Sequence, residues 1–227
     1  MRGIEKSSRV LGLRRFSMVQ LLIALGLLFF FLPFVEEIRG GEFIISALLS
    51  LVLITGVLAV ANRRSTLIVA LLLAVPAVGG RWINHVQPHL VPAPIFLVAG
   101  IGLIAFVVFH LLRFVLHAVV VDVEVLCASV SAYLMLGLIW TTAYWLVAHF
   151  NPEAFAFNTS TGTKETMEGF NAFYFSFVTL STVGYGDITP VSKIARTLAA
   201  MEAMTGLLYV AVLIARLVGL YSTPKSP

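Results

Sequence analysis

Residues 180–189 read Leu-Ser-Thr-Val-Gly-Tyr-Gly-Asp-Ile-Thr, and the chemistry they offer belongs to the main chain. A dehydrated cation needs a cage of oxygens in place of its water. Backbone carbonyls supply that cage only when successive peptides point toward one axis. Ordinary helix and strand geometry cannot do this, but glycines at alternate positions accept φ > 0 without a Cβ clash. Gly184 and Gly186 stand where that freedom is needed. The ion-binding segment is therefore Thr182, Val183, Gly184, Tyr185 and Gly186, with the cation held at Thr182, Val183, Gly184 and Tyr185. The Thr182 hydroxyl and carbonyl form the innermost site. Val183 and Tyr185 point outward and wedge the loop open.

A lone Gly-x-Gly is only a turn signal. Here it comes with the hydroxyl pair Ser181 and Thr182, a trailing Asp187, Pro190, and a preceding aromatic-rich run over residues 170–179. The plain alternative is a glycine-rich loop joining two membrane helices.

The elements that position this loop follow from composition. The 227 residues are 59% hydrophobic and 11% charged, against the ~25% charged of a soluble domain. Apolar blocks long enough to cross a bilayer, where about 20 residues suffice, lie at 18–35, 43–61, 65–78, 95–112, 126–150 and 194–220. The third is short for a ~30 Å hydrocarbon core, so it is expected to continue past Pro76 toward Trp82. Residues 170–180 are too few to span. A re-entrant helix fits that length, and the non-helical backbone after it is tolerated only where it lines a water-filled cavity.

Charge gives an orientation. Arg2, Lys6, Arg9, Arg14 and Arg15 precede the first segment, and Arg63 and Arg64 lie between the second and third. Both groups are expected to be cytoplasmic. Glu36, Glu37, Arg39 and Glu42 fall in an outside connection, and Arg216 and Lys225 return inside. The loop then enters from outside. The length of the first block argues against a cleaved signal peptide. Cys127 stands alone and forms no internal disulfide. The formal charge of +4 is explained by topology, without nucleic acid.

From Phe173 onward the chain resembles the tetrameric potassium channel family, from pore helix through inner helix, most specifically over residues 126–221. The six-crossing layout resembles members with four peripheral helices before the pore pair. The resemblance implies an all-α membrane protein with six transmembrane helices and a re-entrant pore helix, passive K⁺ conduction, and a homotetramer, since one chain supplies one pore loop. It implies no catalytic residues, no cofactor beyond K⁺ as permeant ion, membrane lipid as surroundings, and a plasma (inner) membrane of bacterial type with both termini cytoplasmic. The chain divides into a basic tail (1–17), a peripheral four-helix domain and linker (18–125), a pore domain (126–221) and a short tail (222–227).

Several residues acquire roles from that frame. Gly206 lies twenty residues after Gly186 and matches the family's flexible inner-helix glycine; the alternative is a small residue for close packing. Leu207, Val210 and Ile214 follow at helical spacing as a cavity stripe able to gate by dewetting. Glu202 is ionisable inside the sixth segment, so it is expected to pack behind the filter and hydrogen-bond Ser176, Thr179 or Ser181. Asp187 stands at the outer mouth with Tyr174 as partner. Some relatives have tryptophan at the Tyr174 position and glutamate at the Val178 position; this chain has neither, so a carboxyl pair behind the filter is absent.

Steep voltage gating is not expected. A sensor needs several basic residues spaced by three, and the fourth segment offers Arg113, flanked by His110 and His117, with Leu116 at the next step. His85 and His89 are separated by Pro88, which spoils a helical metal pair; all four histidines are read as interfacial. Trp82, Trp140 and Trp145 are read as interface or packing anchors. Residues 119–125 read as a surface linker, and 151–168 as an exposed turret containing Asn158-Thr159-Ser160, a glycosylation pattern. No attached ligand-binding domain is expected after the sixth segment, although a separate regulatory protein is compatible. The competing functions are a nonselective cation channel, a K⁺ uptake subunit, and a membrane enzyme using His110, His117, Asp122 and Glu124. An intact single filter argues against the first two, and the absence of a nucleophile, metal or phosphate motif against the third. The stimulus and the question of whether the peripheral helices are domain-swapped are left open by sequence.

Overall fold

The computed structural model describes residues 2–35, 38, 40–61, 64–87, 90–158 and 165–222, with side chains from Ser17 to Gly219. The side chains of Arg2, Lys6, Arg9, Arg14 and Arg15, and residues Glu36, Glu37, Arg39, Arg63, Pro88, His89, Thr159, Ser160, Gly162 and Lys225, lie outside the described set.

Eight α-helices dominate the described residues: α1 Arg2–Val35, α2 Gly41–Val60, α3 Arg64–Ala74, α4 Gly80–Val86, α5 Ala93–Leu116, α6 Val123–Phe150, α7 Gly169–Leu180 and α8 Lys193–Ser222. Six stretches are long and apolar enough to cross a membrane: Ser17–Val35, Gly41–Val60, Arg64–Val86, Ala93–Leu116, Val123–Phe150 and Lys193–Gly219. The protein is an all-α, multi-pass integral membrane protein.

The boundaries differ from the apolar blocks for identifiable reasons. The first helix begins at Arg2, so the basic stretch before Ser17 continues the helix. The third span reaches Val86 because α3 and α4 are joined through a π-helical turn, Val75–Gly79, that contains Pro76. Proline lacks the N–H that an α-helix requires, and a π-turn absorbs the fault without ending the span. The fifth span starts at Val123, inside the stretch assigned to the linker. Asp122 caps it, its Oδ1 accepting from the Val125 N–H at 2.9 Å; such a cap satisfies a donor that the helix leaves open.

Packing joins the two halves of one chain. α5 packs along α6, and α1 packs on both α2 and α6. Phe29 of α1 meets Phe173 and Phe177 of α7 edge-on at 4.7 and 4.6 Å. The core runs through Leu21, Leu25, Leu28, Val52, Leu103, Val107, Leu111, Ala128 and Met135. The peripheral helices thus pack on their own chain's α6 and α7.

The 151–168 region is not simply an exposed loop. Residues Phe155–Phe157 form β1, antiparallel to β2 Ile188–Pro190, with Ala156 opposite Thr189. Ala154, Phe155 and Met167 are buried with Tyr144 and Phe175 in a second, smaller core. This ribbon ties the segment before α7 to the segment after the 181–187 loop.

Candidate functional site

The loop after α7 carries the site. Thr182, Gly184 and Gly186 have φ of 60°, 56° and 81°, while Val183 and Tyr185 between them do not have positive φ. Alternation of left- and right-handed residues turns successive N–H groups to one side and carbonyls to the other. Three of the N–H groups have acceptors at the end of α7. Thr182 donates to the Thr179 carbonyl at 2.9 Å, and Val183 and Gly184 both donate to Val178 at 2.9 and 3.3 Å. The loop is therefore stitched by its amides to the end of α7. The glycines adopt this geometry at little cost, but Thr182 is β-branched, and a left-handed conformation costs it about 1–2 kcal/mol. Thr182 was expected as the innermost site, but glycine-based reasoning did not anticipate its positive φ, whose only sequence signal is the alternate spacing with the two glycines. Val183 and Tyr185 are 52% and 72% exposed on the single chain.

The two ends of the loop are braced differently. At the inner end Ser181 turns back on its own helix, donating to the Phe177 carbonyl at 2.6 Å. At the outer end the Tyr174 hydroxyl donates to Asp187 Oδ2 at 2.6 Å, and Asp187 Oδ1 accepts from the Ile188 N–H at 3.0 Å. The bond to Asp187, then burial, pushes the Tyr174 hydroxyl up to about 12, so it remains a donor throughout the neutral range. Asn158 was read only as part of a glycosylation pattern. Its side-chain amide instead donates to the Gly186 carbonyl at 2.8 Å, and its backbone N–H to Asp187 at 2.7 Å. Gly186, grouped with the ion-binding residues, has its carbonyl held by Asn158; among the described residues no side chain is seen to do the same for Thr182–Tyr185.

Glu202 lies behind the loop, fully buried. Of the three partners expected, Ser176 meets it, its hydroxyl 2.6 Å from Oε1; Thr179 and Ser181 bond elsewhere. The second partner, Tyr144 of α6, donates to Oε2 and was not anticipated. One carboxyl thus joins α6, α7 and α8. Ser176 also bonds the Gly137 carbonyl at 2.8 Å.

Gly206 is buried against α7, and α8 runs through it without a break. Leu207, Val210 and Ile214 are 65%, 43% and 56% exposed on the single chain. They share that state with Met201, Met204, Leu208 and Val212, so much of the apolar surface of α8 is exposed on the single chain. Further down, Tyr209 donates to the Ser129 carbonyl at 2.6 Å and Arg216 to Ala118 at 2.8 Å.

The peripheral histidines have local partners. His85 Nε2 lies 2.6 Å from Ser46 Oγ, and its ring stacks on Phe43. Trp82 donates to Ser50 at 3.1 Å. Arg81 was not singled out from the sequence; it donates to Ser46 at 2.9 Å and lies over the Trp145 ring at 5.7 Å. Among the described residues no cluster of three or more His, Cys, Asp or Glu is arranged to hold a metal ion.

The described residues thus hold six candidate spans, a short helix that ends in a loop of alternating handedness, and a last span largely exposed on the single chain. Residues 132–222 match the family model described as "Ion channel". The chain is 37% identical over 56 residues to the inward rectifier potassium channel Kirbac3.1 of Paramagnetospirillum magnetotacticum, covering 25% of this chain and 19% of that protein. It is 44% identical over 59 residues to the voltage-gated potassium channel Kch of Escherichia coli K12 (22% and 14%), and 46% identical over 48 residues to two-pore potassium channel 4 of Arabidopsis thaliana (21% and 17%). The stretch 132–222 is thus similar to the ion channel family, and shorter stretches of the chain are similar to potassium channels. In each case the matched stretch spans less than a fifth of the relative's own length. No solved structure matches the chain.

Proposed function

We propose that the chain is one subunit of a homotetrameric, potassium-selective channel that conducts passively through the 182–186 segment and is not steeply voltage-gated. The observation that carries this reading is the alternation of positive φ at Thr182, Gly184 and Gly186. It frees the oxygens of Thr182, Val183, Gly184 and Tyr185 to replace a cation's hydration shell once four copies meet around an axis. Gly186 supplies the turn that hands the chain on to Asp187. The C-terminal end of α7 adds the partial negative charge of a helix terminus behind the innermost site.

Tetramerisation accounts for the bare surface. Val183, Tyr185 and the apolar residues of α8 would be costly to leave in water, and neighbouring subunits cover them. Leu207, Val210 and Ile214 then face the conduction path as a hydrophobic constriction. Asp187 attracts cations at the outer mouth. The membrane is a plasma membrane of bacterial type, with the basic N-terminal stretch and the α8 end on the cytoplasmic side. The weak voltage dependence follows from α5, whose one basic residue apart from histidine is Arg113 in its last turn. Arg81, in another span, is held by Ser46 and Trp145.

The reading is tested by tracer flux into vesicles containing the purified chain. Rb⁺, a K⁺ congener, is expected to accumulate against a K⁺ gradient while Na⁺ is not. Equal uptake of both ions would favour a nonselective pore.

A further inference from the structure

A cavity of about 520 Å³ opens among the ends of four helices and Met18 of α1, remote from the loop, and six polar residues line it: Ser65, Thr66, His110, Arg113, His117 and Glu124. Its volume falls in the range of pockets that hold small ligands, about 300–1,000 Å³. The contributing ends all belong to one membrane face. α2 and α5 finish there, and α3 and α6 begin there. It is the face opposite the β1–β2 ribbon, at the ends of the apolar spans.

The polar groups include both donors and acceptors. The donors are the Arg113 guanidinium, the Ser65 and Thr66 hydroxyls, and the N–H groups of the first turn of α3. All are suited to a phosphate, and the helix terminus adds positive potential. The remaining groups are acceptors. Glu124 contributes a carboxylate. His110 and His117 each place Nδ1 against a carbonyl of their own helix, Phe106 at 2.9 Å and Arg113 at 2.8 Å. A carbonyl only accepts, so Nδ1 carries the hydrogen in both rings, and the neutral ring leaves Nε2 as a lone-pair acceptor. Arg113 and Glu124 line the same cavity, yet among the described residues neither makes an ion pair or side-chain hydrogen bond with the other.

We propose that this cavity binds the phosphoethanolamine headgroup of a membrane phospholipid. The phosphodiester lies against Arg113, Ser65, Thr66 and the α3 terminus. The primary ammonium donates its three hydrogens toward Glu124, His110 and His117. A purely anionic headgroup would satisfy Arg113 and leave Glu124, His110 and His117 with no donor to accept from. A choline headgroup has no N–H to give. Phe109 and Ile68, adjacent to lining residues and 60% and 63% exposed, offer apolar surface to the acyl chains.

The test is native mass spectrometry of the full chain with short-chain phosphatidylethanolamine, phosphatidylcholine and phosphatidylglycerol at equal concentration. Phosphatidylethanolamine is expected to bind about tenfold more tightly than either of the others, the scale of one charge-assisted hydrogen bond. Glu124→Gln is expected to remove that preference while phosphatidylglycerol binds at least as well as before. Arg113→Gln is expected to weaken both phosphatidylethanolamine and phosphatidylglycerol. Soluble phosphoethanolamine at millimolar concentration is expected to leave the lipid bound; its displacing the lipid would overturn the lipid assignment in favour of a water-soluble ligand. Equal binding of the three lipids, or a preference for phosphatidylethanolamine that survives Glu124→Gln, would overturn the proposal. Circular dichroism of each variant separates loss of binding from loss of fold.

Discussion

Gly206 of α8 lies against the carbonyl of Leu180, the last residue of α7: a Cβ built on it would stand 2.0 Å from that oxygen. The obstacle is main chain, so no side chain can swing aside. A methyl group there must push α8 away from the segment that carries the candidate filter. Gly206→Ala is therefore expected to lower stability by about 1–3 kcal/mol, the usual cost of overpacking, and to reduce current. A glycine needed only for bending would change opening and leave the melting temperature intact. Thermal unfolding of the purified variant distinguishes the two; an unshifted melting temperature would contradict the packing role.

The three-way junction at Glu202 makes a second prediction. Tyr144→Phe and Ser176→Ala each remove one partner from a fully buried carboxyl and are expected to cost about 1–3 kcal/mol, the penalty for an unsatisfied buried polar group. Glu202→Leu removes both bonds at once, leaving Tyr144 without its acceptor while Ser176 keeps the Gly137 carbonyl, and is expected to cost more than either. Glu202→Gln retains a hydrogen-bonding side chain and is expected to be the mildest. Thermal unfolding ranks the four variants. Single-channel open times for Glu202→Gln then show whether the junction also governs gating, since unaltered open times would leave it a purely structural role.

Much of this was legible in sequence, and the limits are physical. The 182–186 segment is local, so its two glycines announce the positive φ at 184 and 186. The spans declare themselves by hydropathy because lipid demands about 20 apolar residues in a row. Pro76 punctuates the third block, and nothing in the residue types tells that a π-turn will carry the helix past it. Thr182 looks like a side-chain ligand, and its left-handed backbone is invisible in a β-branched residue. The remaining misses are long-range contacts. Asn158 reaches Gly186 across 28 positions, Arg81 reaches Ser46 across 35 and Tyr144 reaches Glu202 across 58. Periodicity does not encode which distant elements meet.

The bond from Tyr174 to Asp187 sets an expectation for pH. The tyrosine value in the fold lies above its ordinary one, so the contribution of this bond is complete below the ordinary tyrosine range near 10. It is lost only as pH rises through about 12. Any Tyr174-dependent conductance is therefore expected to be flat from about pH 6 to about pH 9. Tyr174→Phe removes the brace at every pH and is expected to lower steady-state open probability. A wild-type transition in that window that vanishes in Tyr174→Phe would contradict the assignment.

Voltage dependence is expected to be shallow and independent of Arg113. One charge crossing the whole field is worth only ~2.3 kcal/mol per 100 mV, and Arg113 sits in the last turn of its span. Arg113→Gln should leave the conductance–voltage curve unmoved. A steep rise in conductance over a few tens of millivolts that flattens in this variant would contradict the account.

The most direct measurement is the reversal potential of the purified chain in a planar bilayer with K⁺ on one side and Na⁺ on the other. If the oxygens of Thr182–Tyr185 replace the hydration shell of K⁺, the current reverses far from zero, near the K⁺ equilibrium potential. Reversal near zero, with Na⁺ carrying current as readily as K⁺, would contradict it.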